Sequence, residues 1–239
     1  MRFQFVLLLA AMLVACATSL KPPAATANAG TATTVVDDST RWEADIATFE
    51  RADSVVRRRP GGVVFVGSSS IRMWQTMADD FPGVATINRG FGGSRVRDST
   101  YYADRIVTAY HPRGVVFYAG DNDLFEGRTP REVRDDFAAF VARVHLASPD
   151  VRIAFIAIKP SPARLALLPR MREANRLVRA FAEREPLVDY LDVHTPMLDA
   201  NAMPRVELFL GDELHMNRAG YAIWARVVAP WLGALRSSR

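Results

Sequence analysis

A short apolar run that ends abruptly in glycine and serine places the strongest constraint on the fold of this 239-residue chain. Residues 63–66 (VVFV) are β-branched or aromatic, a composition typical of a strand buried on both faces of a parallel sheet. Gly67, which can adopt backbone angles forbidden to other residues, and then Ser68, Ser69 and Ser70 follow directly. Small hydroxyl residues in this place favour a helix start. The stretch therefore predicts a buried strand, a tight turn and a helix.

The three serines lie at a place where open α/β sheets bind ligands, the carboxyl end of a strand. Free N–H groups at a helix start can stabilise negative charge there. A structural alternative stays open, because serine-rich turns often only cap helices. The stretch alone does not decide between a reactive serine and a helix cap.

Four further apolar runs follow, with patterns of helical period between them. They occupy residues 84–87, 115–118, 151–158 and 187–191, and helices are predicted near residues 98–110, 169–184 and 217–235. Thr129, Pro130 and Glu132 form the start signal of another helix. Strands that alternate with helices indicate a parallel sheet covered on both faces. We predict a three-layer α/β/α fold around a central, mainly parallel five-stranded sheet.

The first fifteen residues have the organisation of an export signal. Arg2 precedes an apolar run that is too short to span a bilayer and that ends in small residues, so we predict a signal peptide over residues 1–15. Leu-Val-Ala-Cys, ending at Cys16, resembles the lipobox of bacterial lipoproteins, in which the cysteine becomes the acylated N-terminus. The alternative is an ordinary secretory signal with an incidental cysteine. By the resemblance, the protein is exported and lipid-anchored at the cell envelope, on the periplasmic side or at the outer membrane.

The rest of the chain divides into a linker and one domain. Residues 16–39 are rich in Ala, Thr and Pro, which predicts a flexible linker, and residues 40–239 are long enough for a single core. Thr40 and Glu43 are spaced as a capping box at the start of the domain.

Cys16 is the only cysteine, so no internal disulfide is possible. The net charge of +4 comes from arginines scattered among acids, which argues against a nucleic-acid partner. We expect the protein to be a monomer.

Three later stretches carry polar residues after a predicted strand or just before the last helix. They are residues 88–93 (NRGFGG), 120–123 (GDND) and 212–215 (DELH). The first lacks the glycine spacing of a dinucleotide site, and Asn122 in the second has the alternative of being only a turn residue. In the third, Asp212 can orient the imidazole of His215, or both can bind a metal. No Cys or His cluster completes a metal site, so we predict neither metal nor cofactor.

In this order, GSSS, NRGFGG, GDND and DELH resemble the motifs of the SGNH hydrolases, which include the GDSL-type esterases and lipases. The resemblance implies that Ser69 is the nucleophile, that His215 is its base and that Asp212 orients His215. It also implies an oxyanion hole formed by the Ser69 N–H, the Gly93 N–H and the Asn122 amide. These donors would stabilise the negative charge that forms on an ester carbonyl oxygen.

One departure from the family pattern concerns the first motif. Ser68 stands where the family usually has Asp, a residue outside the triad, and this leaves Ser68 and Ser70 as competing nucleophiles. The interval from Gly67 to Trp74 matches the usual spacing and favours Ser69.

The resemblance implies hydrolysis of a small carboxylic ester, without metal or cofactor. An O-acetylated carbohydrate, a short-chain acyl ester and a lysophospholipid all suit this chemistry, and the membrane would be a partner only through the N-terminal lipid. The alternative function is a non-catalytic surface lipoprotein that binds a carbohydrate or lipid ligand in a degenerate site. His194, after the last predicted strand, is interpreted as a structural turn residue.

Overall fold

The computed structural model describes residues 38–56 and 60–237. The predicted signal peptide, Cys16 and all but the last two residues of the predicted linker lie outside the described residues, so these assignments stay predictions. At the start of the described chain, the fully buried Ser39 donates a hydrogen bond from Oγ to Asp98 at 2.7 Å. Residues just before the predicted boundary at residue 40 therefore already pack with the domain.

Five parallel strands form one sheet in the order β2-β1-β3-β4-β5, which confirms the predicted α/β fold. The strands are β1 (Val63–Gly67), β2 (Thr86–Gly90), β3 (Gly114–Tyr118), β4 (Arg152–Ile156) and β5 (Val188–Leu191). Every strand pairs in parallel with its neighbour, so their carboxyl ends meet at one edge.

Helices cover both faces of the sheet and complete three layers. The α-helices are α1 (Glu43–Val55), α2 (Ser69–Arg72), α3 (Met77–Asp80), α4 (Val96–Tyr101), α5 (Ala103–Ile106), α6 (Asp121–Phe125), α7 (Pro130–Ala147), α8 (Leu168–Ala182) and α9 (Arg218–Ser237). Short 3-10 helices occupy Asp38–Trp42, Thr108–Tyr110, Pro162–Leu167, Thr195–Met197 and Val206–Leu208. In the part of the chain that the structure describes, no helix has both the length and the apolarity needed to cross a bilayer.

The unbroken apolar run of β1 is explained by burial on both faces. Val64 and Val66 belong to the core shared with α1, α4, α5, α7 and α8, whereas Val63 and Phe65 belong to the core shared with α2, α3 and α9. Because successive side chains of a strand point to opposite faces, a strand between two helical layers needs an apolar residue at every position.

The predicted position of the second strand is wrong by two to three residues. β2 includes Asn88 and Arg89, which the sequence pattern places in the loop after the strand. Both polar side chains have partners: Asn88 donates to the Ile71 carbonyl at 2.7 Å, and Arg89 forms a two-pronged contact with Asp53 at 2.6 Å. These hydrogen bonds offset the cost of removing an amide and a guanidinium from water.

The two predicted helix starts have opposite outcomes. The capping box at Thr40 is wrong: a 3-10 helix spans this position, α1 has no side-chain cap, and the Glu43 carboxylate instead binds Arg105 at 2.8 and 2.9 Å. The capping box of α7 is confirmed. There the Thr129 N–H donates to Glu132 at 2.7 Å, and the Thr129 hydroxyl accepts from the Glu132 N–H at 3.2 Å.

The register of the central strands aligns the loops that follow them. Gly67, the last residue of β1, lies opposite both Gly90 of β2 and Tyr118 of β3. Gly67 has a φ of +136°, and a Cβ atom there would lie 1.8 Å from the Tyr118 carbonyl oxygen. Only glycine fits this turn. The chain segments that carry Ser69, Gly93 and Asn122 therefore leave the sheet at the same edge.

Candidate active site

A chain of hydrogen bonds connects three of the predicted site residues. Ser69 is the first residue of α2, and its Oγ lies 3.0 Å from His215 Nε2. On the other side of the ring, His215 Nδ1 lies 2.6 Å from Asp212 Oδ2. The structure thus brings together residues 146 positions apart in the chain, at the carboxyl edge of β1.

The turn over residues 212–215 is organised by the Asp212 carboxylate. Its second oxygen, Oδ1, accepts the backbone N–H groups of Leu214 at 3.0 Å and His215 at 2.9 Å. Glu213 adopts a left-handed conformation, with φ +55°, that lets the turn close this tightly. The hydrogen bond from the His215 side chain, followed by the backbone hydrogen bond from the same residue, lowers the pKa of Asp212 to about 2. Asp212 is therefore an ionised acceptor across the neutral pH range.

This ionised acceptor fixes the tautomer of His215. An ionised carboxylate can only accept, so Nδ1 of a neutral ring must carry the proton and donate it to Asp212. The other nitrogen, Nε2, is then left with a lone pair directed at the Ser69 hydroxyl. This arrangement allows the imidazole to receive the serine proton.

The three adjacent serines differ in their surroundings. Ser68 and Ser70 are each 1% exposed, and within the described residues their hydroxyl oxygens have no hydrogen-bond partner. Ser69 is partly exposed, and its hydroxyl is the one that meets His215. The geometry therefore favours Ser69 over its two neighbours as the reactive hydroxyl.

Two backbone N–H groups of the predicted oxyanion hole belong to Ser69, at the start of α2, and to Gly93, in the loop after β2. Within the described residues, neither the Ser69 N–H nor the Gly93 N–H donates to a protein acceptor. Ser69 is the first residue of its helix, where the N–H has no intrahelical acceptor. Gly93 is exposed and has a φ of +77°. The Trp42 ring lies next to it, 3.2 Å from where a Cβ atom would be. Both N–H groups are thus available as donors.

The third predicted donor, Asn122, is held from two sides. It lies in the first turn of α6, and its Nδ2 donates to the Ser94 carbonyl at 3.0 Å. Its Oδ1 accepts from Arg164 Nη2 at 2.9 Å. An amide nitrogen carries two hydrogens, so one N–H of Asn122 is left for another acceptor.

Asp123 connects the segment that follows Gly93 to the helix that carries Asn122. Sequence reasoning missed this structural role. Its buried carboxylate accepts the Val96 N–H at the start of α4, with distances of 3.1 and 3.3 Å. Burial raises the pKa of Asp123 to about 7. The sequence signal was the second acid of the GDND stretch.

A second group that sequence reasoning missed is a buried cluster of charges around Asp121, the residue before Asn122. Lys159, 1% exposed, contacts Asp121 at 2.9 Å and the Tyr118 hydroxyl at 3.2 Å. Burial acts to raise the pKa of Asp121, but the charges of Lys159 and Arg164 outweigh it and lower the pKa. The available signal was that Lys159, one of only two lysines, directly follows an apolar run.

His194 lies outside this site, as the structural interpretation expects. It is 7% exposed, its Nδ1 is 2.8 Å from the Ile158 carbonyl oxygen, and burial lowers its pKa.

As for metals, the described part of the chain contains no group of three or more His, Cys, Asp or Glu side chains that are placed to hold an ion.

The model of the GDSL-like lipase/acylhydrolase family matches residues 53–223, a segment that contains Ser69, Gly93, Asn122, Asp212 and His215. No curated protein matches the chain.

The fold is similar to that of several solved structures. A Bacteroides fragilis protein assigned as an acylhydrolase superimposes with a TM-score of 0.70 and 18% identity, covering 82% of this chain and 97% of its own. A GDSL-like lipase from Bacteroides thetaiotaomicron has a TM-score of 0.63 and 20% identity, covering 84% and 98%. A carbohydrate esterase family 3 protein from Talaromyces cellulolyticus has a TM-score of 0.60 and 15% identity, covering 75% and 100%. At these identities the similarity shows the fold alone.

Proposed function

Because the chain belongs to the GDSL-like lipase/acylhydrolase family, we propose that it hydrolyses small carboxylic esters through an acyl-enzyme on Ser69. The observation that supports this most strongly is the hydrogen-bonded chain from Ser69 through His215 to Asp212, with contacts of 3.0 and 2.6 Å. In this proposal Ser69 is the nucleophile, His215 is the general base and Asp212 orients the ring.

The first half of the reaction forms the acyl-enzyme. Ser69 Oγ attacks the ester carbonyl carbon while its proton passes to His215 Nε2, and the imidazolium that results is stabilised by the ionised Asp212. When the tetrahedral intermediate collapses, the bond to the alcohol breaks and His215 returns the proton to the departing oxygen. In the second half, a water molecule gives its proton to His215 and attacks the acyl carbon, which releases the acid and restores the Ser69 hydroxyl.

The oxyanion of both tetrahedral intermediates would be stabilised by three donors: the Ser69 N–H, the Gly93 N–H and the free N–H of the Asn122 amide. The two backbone groups support this assignment because each has no acceptor within the described residues. Loss of one such donor typically raises the barrier by about 3 kcal/mol, or slows the reaction about a hundredfold.

The proposed substrates are an O-acetylated carbohydrate, a short-chain acyl ester or a lysophospholipid. The similarity to a carbohydrate esterase family 3 protein favours testing acetylated sugars first. A panel of p-nitrophenyl esters of increasing acyl length, together with acetylated xylose and a lysophospholipid, would rank the three classes by kcat/KM.

The proposal is tested by hydrolysis of p-nitrophenyl acetate. Ser69→Ala and His215→Ala should each lower kcat by at least about a thousandfold, because both residues act as one unit. Ser70→Ala is the matched control and should keep activity close to that of the wild type, since the Ser70 hydroxyl is buried and makes no hydrogen bond with His215. If Ser69→Ala keeps full activity while Ser68→Ala or Ser70→Ala loses it, the nucleophile is wrong. Full activity in all four variants would refute the hydrolase proposal.

We also propose that Cys16 is acylated and anchors an otherwise monomeric protein at the cell envelope. The support is the Leu-Val-Ala-Cys sequence after an apolar run. Cells grown with a palmitate analogue should label the wild type and not Cys16→Ser, and the labelled protein should sediment with membranes. Absence of lipid from both forms, with equal recovery in the soluble fraction, would leave only a secretory signal.

A further inference from the structure

One short turn after β4 contacts both halves of the candidate active site. In the 3-10 helix Pro162–Leu167, the Ala163 N–H donates to the Glu213 carbonyl at 3.1 Å, in the turn that carries His215. The next residue, Arg164, donates from Nη2 to Asn122 Oδ1 at 2.9 Å. Two successive residues therefore connect the side of the base with the side of the oxyanion hole.

The contacts of Asn122 fix which way its amide points. A guanidinium can only donate, so the group facing Arg164 must be the carbonyl oxygen Oδ1. The Ser94 backbone carbonyl can only accept, so the group facing it must be Nδ2, and that distance is 3.0 Å. Rotating the amide by 180° would place donor against donor and acceptor against acceptor. Arg164 and Ser94 together therefore hold the second Nδ2 hydrogen in one direction.

Arg164 has a largely buried side chain that brings a positive charge close to Asn122. Its side chain is only 9% exposed, its Nη1 lies 3.7 Å from Asp121 Oδ2, and its guanidinium packs 4.6 Å from the ring centre of Phe125. Asp121 also pairs with Lys159 at 2.9 Å, so two cations share one carboxylate. Within the described residues, Arg164 Nη1 has no hydrogen-bond partner. Because Arg164 and Lys159 share the single carboxylate of Asp121, these three side chains together carry a net positive charge beside the Asn122 amide.

We propose that Arg164 is a positioning residue for the oxyanion hole, an inference that rests on the proposed function. By binding Oδ1, it keeps the free N–H of Asn122 directed toward the developing oxyanion. A cation bound to the amide oxygen also polarises the amide, which makes that N–H a stronger donor. Arg164 contributes to the barrier only through Asn122 and does not touch the substrate.

A double-mutant cycle distinguishes this role from a general structural one. Kinetics of p-nitrophenyl acetate hydrolysis are measured for Arg164→Met, Asn122→Ala and the double variant. Asn122→Ala should lower kcat about a hundredfold and Arg164→Met roughly tenfold, with KM within about twofold of the wild type. The double variant should match Asn122→Ala, because Arg164 has nothing left to position. Arg176→Met, which removes an exposed guanidinium paired with Glu173 on α8, is the matched control and should leave kcat unchanged.

Two results would overturn the proposal. One is a folded Arg164→Met variant with wild-type kcat. The other is a double variant whose loss is the product of the two single losses, since Arg164 would then act independently of Asn122. If circular dichroism shows that Arg164→Met does not fold, the same cycle is run with Arg164→Lys, which keeps a positive charge near Asp121. A loss of a few-fold that vanishes in the Asn122→Ala background supports the proposal, and a multiplicative loss or no loss refutes it.

Failure of this inference can be separated from failure of the proposed function. The wild type and Ser69→Ala are assayed alongside the cycle. If the wild type hydrolyses the ester and Ser69→Ala does not, the proposed function holds whatever the result for Arg164. If the wild type and Ser69→Ala do not differ, the proposed function itself fails, and the role of Arg164 in positioning Asn122 for catalysis falls with it.

Discussion

Asp123 should make the protein less stable as the pH rises from about 4 to about 7. Its side chain is fully buried, and burial, together with the nearby charges of Asp136 and Asp121, raises its pKa from 3.8 to about 7. Between these two values the folded state binds a proton that the unfolded state has released. The stabilising contribution is therefore complete below about pH 4 and is lost as the pH rises through about 7.

The size of the effect follows from the difference between the two pKa values. Each pKa unit corresponds to about 1.4 kcal/mol, so a group that changes from 3.8 to about 7 alters the free energy of unfolding by at most about 4 kcal/mol. Asp123→Asn replaces the carboxyl group by a neutral group of the same shape. It should resemble the protonated wild type at low pH and become progressively more stable than the wild type at higher pH.

Urea unfolding of both proteins at intervals from pH 4.5 to pH 8.5 measures this difference. The free energy of unfolding of Asp123→Asn minus that of the wild type should grow with pH by several kcal/mol. Asp135→Asn, which removes the charge of an exposed acid on α7 that pairs with Arg134, is the matched control and should change the free energy of unfolding by less than about 1 kcal/mol. A difference for Asp123→Asn that does not change with pH would refute the conclusion that Asp123 is buried with a raised pKa.

Three further predictions test the site and its scaffold. Asp212→Asn should lower kcat for p-nitrophenyl acetate by about 10⁴-fold, because the tautomer of the base would no longer be fixed; a loss below tenfold would contradict this. Gly67→Ala should prevent folding or lower the free energy of unfolding by more than about 4 kcal/mol, since its Cβ would lie 1.8 Å from the Tyr118 carbonyl oxygen. Gly127→Ala has open space around it and should lower the free energy of unfolding by only about 1–2 kcal/mol; thermal unfolding of both variants measures the difference. Thr129→Ala should lower the free energy of unfolding by about 1 kcal/mol through loss of the α7 cap, and an unchanged midpoint in urea would argue against the cap.

The sheet and its functional edge could be predicted because their signal is local. The apolar runs that became β1 and β3 are unbroken, and their burial on both faces requires this. β2 is the exception, since its second half contains Asn88 and Arg89. These residues belong to a strand only because distant partners, among them Asp53, satisfy their hydrogen bonds. A pattern of apolar residues cannot report such partners.

The residues that support the site could not be predicted for a similar reason. Arg164 and Asn122 are 42 positions apart, and Lys159 and Asp121 are 38 positions apart. The sequence shows a lysine after an apolar run and an arginine among prolines, but it does not show which polar groups they meet. The motif residues could be predicted because four motifs occur in the same order as in a known family. Their partners could not, because these depend on how the loops after β3 and β4 fold against each other.

The nucleophilic role of Ser69 is tested most directly by covalent labelling with a fluorophosphonate and peptide mapping by mass spectrometry. The wild type should gain one phosphonyl group, located on Ser69 in the peptide that contains all three adjacent serines. Ser69→Ala should gain none, and Asn122→Ala should label more slowly because one oxyanion donor is lost. A label on Ser68 or Ser70, or a wild type that hydrolyses esters and takes up no label, would contradict the assignment of Ser69 as the nucleophile.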